Sequence, residues 1–158
     1  MSHMAKLRTC LMSDDKGQEM ADYYVSLLPD SRIDKSWRPE GSERTLVVEF
    51  TLAGAPYMTL NAGMDVAHSM AASISVLTED QAETDALWSR LLGDGGQEGQ
   101  CGWITDRYGV HWQIVPKVMP ELLNGPDSEG ATRAFQAMMG MRKIDIAGIQ
   151  RAYMGEES

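Results

Sequence analysis

The stretch CGWITDRYGVHWQIVP, residues 101–116, contains two short runs of alternating apolar and polar side chains on either side of the turn sequence TDRYG. Alternation with a period of two predicts β-strands with one buried face, and the Asp and Gly between them predict a hairpin turn. Trp112 and Ile114 fall on one face of the second strand, whereas His111 and Gln113 fall on the other. We therefore expect one face to pack on a helix and the opposite face to line a more polar space.

This hairpin closes a unit that occurs twice in the chain. It follows a strand candidate, AASISVLT (71–78), and an amphipathic helix, TEDQAETDALWSRLLGDGG (78–96), for which we predict Thr78 as the N-cap and Gly93 as the end. The same order appears earlier as the strand LRTCLMS (7–13), the helix DDKGQEMADYYVSLL (14–28) and the hairpin LVVEFTLAGAPYMTLNAG (46–63). Strand, helix and hairpin, given twice, predict two similar modules.

Two shifts superpose the repeats. A shift of 63 residues places Leu11 on Ile74, and a shift of 54 places Leu60 on Ile114. With these shifts, the face that packs on the helices carries Leu11, Leu60, Ile74, Trp112 and Ile114. The opposite face carries Arg8, Cys10, Thr59, Asn61, Ser73, Ser75, His111 and Gln113. Two half-sheets of this kind, related by a pseudo-twofold axis, can curl around a cleft.

After Pro116 the pattern predicts two short helices, with a break at Gly140 and a new cap at Asp145. The apolar positions of this segment are Ala134, Phe135, Met138, Met139 and Met141, then Ile144, Ile146, Ile149 and Tyr153. Methionines at helical spacing are typical of a core or a subunit interface.

Length and charge restrict the classes of partner. The 158 residues, 43% of them hydrophobic, are enough for one domain with a good core. A net charge of -9 without a basic patch argues against nucleic acid and anionic membranes. No apolar run reaches about 18 residues and no signal peptide precedes the fold, so we expect a soluble, cytoplasmic protein. The widely spaced Cys10 and Cys101 suit a reducing compartment. Residues 1–4, MSHM, are typical of an expression-tag remnant.

Four stretches resemble the PhnB-like family: ADYYVSLLPDSRI, VEFTLAGAPYMTLNAG, CGWITDRYGVHWQIVP and AFQAMMGMRKIDIAGIQRAY. That family belongs to the vicinal oxygen chelate superfamily, which includes glyoxalase I, extradiol dioxygenases and the bleomycin and fosfomycin resistance proteins. The resemblance implies an α+β fold whose two βαβββ modules, about 5–62 and 68–116, form a cupped, mixed eight-stranded sheet. It also implies a homodimer, and we expect residues 117–158 to form a helical extension that packs on the same domain.

Active members of the superfamily place metal ligands on the first and last strands of each module. Matched by register, these positions are Arg8, Thr59, Ala71 and Gln113, which offer a cation, a hydroxyl, a methyl and an amide. A divalent ion requires imidazoles and carboxylates instead. His111 and Glu49 are neighbours that could substitute, and His68 lies in the crossover between the modules. We expect neither a metal nor another cofactor.

Family members are often labelled 3-demethylubiquinone-9 3-methyltransferase. The stretch GDGGQEG, 93–99, superficially resembles a phosphate-binding loop, but it follows a helix and opens a strand, which is the reverse of the required order. The sequence has no strand followed by a glycine loop of the kind that holds S-adenosylmethionine. We therefore do not expect methyl transfer.

Cys101, Asp106 and His111 could act as nucleophile, orienting group and base. However, Asp106 lies in a turn sequence where aspartate commonly accepts hydrogen bonds from backbone amides, far along the hairpin from Cys101. We therefore predict a structural role for Asp106, which leaves the catalytic residues unknown and His111 as a weak candidate for a general base.

The leading hypothesis is a protein that binds a small organic molecule in the cup without a metal. Trp103 beside His111 would give a flat apolar wall with one proton donor or acceptor, and Arg8 would favour a carboxylate or phosphonate. The alternatives are a glyoxalase-type, dioxygenase-type or histidine-based enzyme, and an interaction protein whose cup is filled. The candidate pocket residues are Arg8, Cys10, Glu49, Thr59, Asn61, Ser73, Ser75, Trp103, His111 and Gln113.

Overall fold

The computed structural model describes residues 4–156, which divide after Ala67 into two compact units. The predicted α+β class and the two βαβββ modules are confirmed, and the eight strands form two open four-stranded sheets, one in each module. Within residues 4–156, no helix is both long enough and apolar enough to cross a membrane. The elements are β1 (Thr9–Ser13), α1 (Gly17–Leu27), β2 (Arg32–Trp37), β3 (Val47–Leu52), β4 (Ala55–Asn61), β5 (Ser73–Thr78), α2 (Gln81–Gly93), β6 (Gln97–Glu98), β7 (Trp103–Thr105), β8 (His111–Pro116), α3 (Val118–Leu123), α4 (Ser128–Met139) and α5 (Ile146–Met154).

In the first module the strand order is β1-β4-β3-β2, with β1 parallel to β4 and the other pairs antiparallel. Helix α1 covers one face of this sheet. Tyr24 and Phe50 are fully buried between helix and sheet, with ring centroids 6.3 Å apart. Among the described residues of this module no helix covers the other face, which we call the first open face.

The second module repeats this arrangement with the order β5-β8-β7-β6. Helix α2 buries Leu87 and Leu91 against Trp112 and Ile114, as the alternation predicts. The opposite face of this sheet is the second open face.

The predicted end of α2 at Gly93 is confirmed, but the predicted cap is wrong. Thr78 is the last residue of β5, and its hydroxyl oxygen lies 2.6 Å from that of Thr84. The cap is Asp80, whose carboxylate accepts from the Glu83 amide at 2.9 Å. Both threonines and aspartates cap helices well, so composition alone does not choose between them.

The register corrects the predicted repeat of the hairpins. Leu11 pairs with Thr59 in the β1–β4 ladder, and Ile74 pairs with Trp112 in the β5–β8 ladder. Since the shift of 63 places Leu11 on Ile74, the structure equates Thr59 with Trp112, which is a shift of 53 rather than 54. A displacement of one residue exchanges the two faces of a strand.

Thr59 and Asn61 therefore lie beneath α1, and their predicted place on the open face is wrong. The Thr59 hydroxyl donates to the Gly17 carbonyl at 3.0 Å, and the Gly17 amide donates to Asn61 Oδ1 at 2.8 Å. The first turn of α1 lies so close to β4 that a Cβ on Gly17 would come within 2.7 Å of Thr59 Oγ1. Two polar side chains are buried here because they hydrogen-bond the backbone of Gly17, whose amide has no partner inside the helix.

The C-terminal segment folds as three helices rather than the predicted two. The break at Gly140 and the new cap at Asp145 are confirmed, but α3 was not predicted. These helices share a core made of Met119, Ala134, Ile144 and Ile149.

Candidate functional site

The second open face forms a cavity of about 810 Å³, which we call the open-face cavity. Its floor comes from β5, β7 and β8, and helices α3 and α4 form one wall. This volume lies within the range of small-molecule sites in proteins. The lining residues are Met70, Ser75, Leu77, Gly99, Gln100, Cys101, Trp103, Ile104, Thr105, His111, Gln113, Val115, Met119, Pro120, Leu123, Phe135, Met138 and Met139.

The lining is mainly apolar. Leu77, Phe135 and Met139 remain 60%, 45% and 53% exposed, although each is a large hydrophobic side chain. Among the described residues that line the cavity there is no Asp, Glu, Lys or Arg. An uncharged molecule therefore enters this space without leaving a charge unpaired in an apolar environment.

Two polar side chains of the floor are only partly satisfied by the protein. Gln113 Nε2 donates to Ser73 Oγ at 2.8 Å, and His111 Nδ1 lies 3.3 Å from Thr105 Oγ1. The remaining polar atoms, Gln113 Oε1 and His111 Nε2, have no hydrogen-bond partner within residues 4–156. The floor thus offers a bound molecule a carbonyl acceptor, the second N–H of Gln113 Nε2 and one imidazole nitrogen.

Trp103 lies beside His111, as the sequence predicts. The ring centroids are 6.3 Å apart and the ring planes meet at 66°, an edge-to-face arrangement. Both side chains line the open-face cavity. The indole therefore supplies a flat apolar surface next to the polar atoms of the floor.

The first open face differs because its charged groups bond one another. Arg8 Nη1 donates to the carbonyl oxygens of Phe50 and Tyr57 at 3.1 Å and 3.0 Å. The same guanidinium lies 3.4 Å from Asp34 Oδ2 and 3.8 Å from Glu49 Oε2. The hydrogen bonds and ion pairs of Arg8 are therefore made within the first module. These contacts do not support its predicted role in attracting an anionic ligand.

Asp34 is the centre of this network. Its carboxylate accepts from the Thr51 hydroxyl at 2.7 Å and pairs with Arg32 at 2.9 Å. Partial burial opposes ionisation, but Thr51, Arg32 and Arg8 outweigh it and hold the pKa of Asp34 below its usual value. A hollow of about 320 Å³ lies on this face, and its lining consists of Lys35, Trp37, Val47 and Glu49.

The structure thus separates the predicted pocket residues into three groups. Ser75, Trp103, His111 and Gln113 line the open-face cavity, with Ser73 bonded to Gln113. Arg8, Cys10 and Glu49 belong to the first open face, and Thr59 and Asn61 are buried under α1. The prediction omitted the apolar wall: Leu77 and Val115 share the parity of Ser75 and Gln113, and this was the signal that could have revealed them.

Cys101, Asp106 and His111 do not form a catalytic triad. Asp106 Oδ1 accepts from the amides of Tyr108 and Val110 at 2.8 Å and 3.1 Å, and Oδ2 accepts from Trp112 Nε1 at 2.8 Å. The predicted structural role of Asp106 in the turn is confirmed. Cys101 Sγ lies 3.5 Å from Met139 Sδ, at the edge of the cavity.

The donor atoms do not fit the divalent metal that the superfamily implies. In the described part of the chain, no three His, Cys, Asp or Glu side chains come together as a metal site. On β8 the second open face presents one imidazole, His111, and one amide, Gln113. The shift of 53 puts Met58 and Leu60 at the matching positions of the first module. Thioethers, alkyl groups and a neutral amide are poor ligands for a hard or borderline ion.

Comparison with solved structures defines the class. The fosfomycin resistance protein FosX from Listeria monocytogenes has a TM-score of 0.58 and 12% identity, covering 77% of this chain and 98% of FosX. FosX from Mesorhizobium loti has a TM-score of 0.57 and 13% identity, covering 78% of this chain and all of that one. These similarities show the shared fold, that of the glyoxalase and bleomycin resistance proteins.

The particular family follows from two further comparisons. The PhnB protein from Bacillus cereus, which carries a 3-demethylubiquinone-9 3-methyltransferase description, is 27% identical with a TM-score of 0.63; the match covers 71% of this chain and 99% of that one. The model of the 3-demethylubiquinone-9 3-methyltransferase family matches residues 5–115. The chain therefore belongs to this PhnB-like family of the vicinal oxygen chelate superfamily. No curated protein sequence matches it.

Proposed function

We propose that the protein binds a small, mainly apolar organic molecule in the open-face cavity of its second module. The observation that carries this proposal is an apolar space of about 810 Å³ whose floor presents two polar atoms without a protein partner. Specific small-molecule sites combine these two features, since apolar walls supply affinity and a few polar atoms fix orientation.

The exposed wall supplies a driving force for binding. Leu77, Phe135 and Met139 leave apolar surface in water, and covering apolar surface contributes roughly 2.5 kcal/mol for each 100 Å². The methionines of α4 line the space and leave it open, which weighs against the alternative of a filled cup.

A second candidate is a reaction in which His111 acts as a general base. The observation that favours it is that His111 lines the cavity and that its Nε2 has no hydrogen-bond partner within residues 4–156, while Nδ1 lies 3.3 Å from Thr105 Oγ1. Methyl transfer has no such support. In residues 4–156, neither β1 nor β5 leads into its helix through a glycine-rich loop able to hold S-adenosylmethionine.

Titration with N-phenyl-1-naphthylamine, an uncharged fluorescent probe, tests the binding proposal. We expect a saturable rise in fluorescence for the wild-type protein. The variant Leu77→Glu places a charge in the apolar wall at an exposed position, so we expect at least about tenfold weaker binding without loss of the fold.

The matched control is Met12→Glu, a partly exposed position of the first module. We expect this variant to bind the probe as the wild type does. Equal losses in both variants, or no saturable signal from the wild-type protein, would contradict the proposal.

We also propose that the protein is a homodimer. Both compact units leave large apolar side chains in solvent, among them Trp37 on β2 and Phe135 on α4. A second copy of the chain would remove part of this surface from water. Light scattering should give twice the mass of one chain at micromolar concentration, and a monomer there would contradict the proposal.

A further inference from the structure

We infer that the ligand of the open-face cavity is an uncharged aromatic molecule that carries a hydrogen-bond donor such as a hydroxyl group. This inference rests on the proposed function, since it specifies what the same cavity selects. It depends on three features of the second open face: the direction of the Gln113 amide, the lack of charge, and the shape and chemistry of the walls.

The side-chain amide of Gln113 offers the ligand a hydrogen-bond acceptor. One N–H of its Nε2 group donates to Ser73 Oγ at 2.8 Å, and the carbonyl oxygen Oε1 has no hydrogen-bond partner within residues 4–156. A carbonyl oxygen only accepts hydrogen bonds. A ligand that satisfies Oε1 therefore brings a donor, and a carboxylate or an ether oxygen placed there would leave Oε1 unsatisfied.

The lining of the cavity disfavours a charged ligand. A carboxylate or phosphonate in this space would lose its hydration and find no cation among the lining side chains that the structure describes. Arg8, the cation that the sequence predicts on the open face, belongs to the first module and is bonded to Phe50, Tyr57, Asp34 and Glu49. The net charge of -9 further disfavours the approach of an anion.

The walls favour an aromatic ring. Trp103 presents an indole beside the polar floor, and Met70, Met119, Met138 and Met139 surround the space. Thioether sulfurs make favourable contacts with aromatic rings, and the flexible methionine side chains adapt to rings of different outline. Indole and thioether groups together therefore suit a planar apolar body with its donor directed at Gln113.

Isothermal titration calorimetry at pH 7 with three matched probes tests the inference: 2-naphthol, 2-methoxynaphthalene and 2-naphthoate. We expect 2-naphthol to bind most tightly. Its methyl ether keeps the ring but lacks the donor, so we expect it to bind about tenfold more weakly, the equivalent of one hydrogen bond. We expect 2-naphthoate to be the weakest because it carries a charge into the cavity.

The variant Gln113→Leu identifies the acceptor. It should bring the affinities for 2-naphthol and its methyl ether to within about twofold, while binding of the ether is retained, which also shows that the variant is folded. Binding of 2-naphthoate as tight as that of 2-naphthol, or an unchanged preference in Gln113→Leu, would overturn the inference and leave the proposed function intact. Failure of all three probes to bind the wild-type protein would contradict the proposed function itself.

Discussion

The two open faces are built on the same βαβββ unit and differ in how their polar groups are used. On the first face, Arg8, Asp34 and Glu49 satisfy one another and two backbone carbonyls. On the second face, His111 and Gln113 each keep a polar atom directed at an apolar cavity. The first arrangement stabilises a sheet, whereas the second can recognise a molecule.

The corrected register shows where this difference lies. The shift of 53 equates Met58 with His111 and Leu60 with Gln113. At both positions the first module has an apolar side chain where the second module has a hydrogen-bonding one. A duplicated backbone therefore does not imply a duplicated site, because the side chains of the last strand and the helices beside the sheet determine what a face can bind.

The largest expected effect concerns the turn that orients β8. In the variant Asp106→Ala, the amide of Val110 and the indole of Trp112 lose a buried acceptor. Leaving such groups unsatisfied costs about 1–3 kcal/mol each, so we expect the free energy of unfolding to fall by about 3–4 kcal/mol in urea titrations. Asp106→Asn keeps one acceptor oxygen and should lose less. Unchanged stability in Asp106→Ala would show that the carboxylate has no structural role.

A smaller effect is expected from the charge network of the first face. The variant Arg8→Met removes the donor to two carbonyl oxygens and leaves Asp34 and Glu49 without their shared cation. We expect a loss of about 2 kcal/mol in stability. Binding of 2-naphthol by the folded variant should be unchanged.

The control for this variant is Arg32→Met. Arg32 pairs with Asp34, but its side chain is 69% exposed, so the expected loss of stability is below about 1 kcal/mol. A marked loss of 2-naphthol affinity in folded Arg8→Met would contradict the assignment of the two faces to different roles.

The smallest expected effect is a dependence on pH. Since the pKa of Asp34 is lower in the folded protein than in the unfolded chain, its ionised form stabilises the fold at neutral pH. This contribution is lost as the pH falls through the folded pKa. The variant Asp34→Asn should therefore be less stable than the wild type at pH 7, and urea titrations should show the difference shrinking in acid. A difference that stays constant from pH 7 to acid would contradict this account.

The sequence predicts the second face better than the first because residues 73–76 of β5 and 111–114 of β8 alternate in hydropathy. Ser75, His111 and Gln113 share one parity while Trp112 and Ile114 are buried on the other, so hydropathy alone assigns the faces. On β4 the same rule fails. Thr59 and Asn61 are buried because they bond the backbone of Gly17, and a hydropathy pattern does not reveal a contact between residues more than forty positions apart.

Local sequence patterns also fail to predict the edge strands and the cavity wall. The sequence of β2 is typical of a loop because Arg32, Asp34, Lys35 and Ser36 are polar. Polar and charged side chains are common on edge strands. Strand β6 has only two residues and lies in a glycine-rich segment. The helical spacing of Met138 and Met139 is visible in the sequence, but the packing of α4 beside β8 depends on tertiary contacts.

The most direct test of the central claim, that the second open face binds ligand and the first does not, is a titration with 2-naphthol followed by ¹H–¹⁵N NMR. The account predicts saturable shifts in the backbone amide of Ser75, the side-chain amide of Gln113 and the indole of Trp103. The amides of Cys10 and Met58 on the first face should not move. Saturable shifts concentrated at Cys10 and Met58, with Gln113 and Trp103 unaffected, would contradict it.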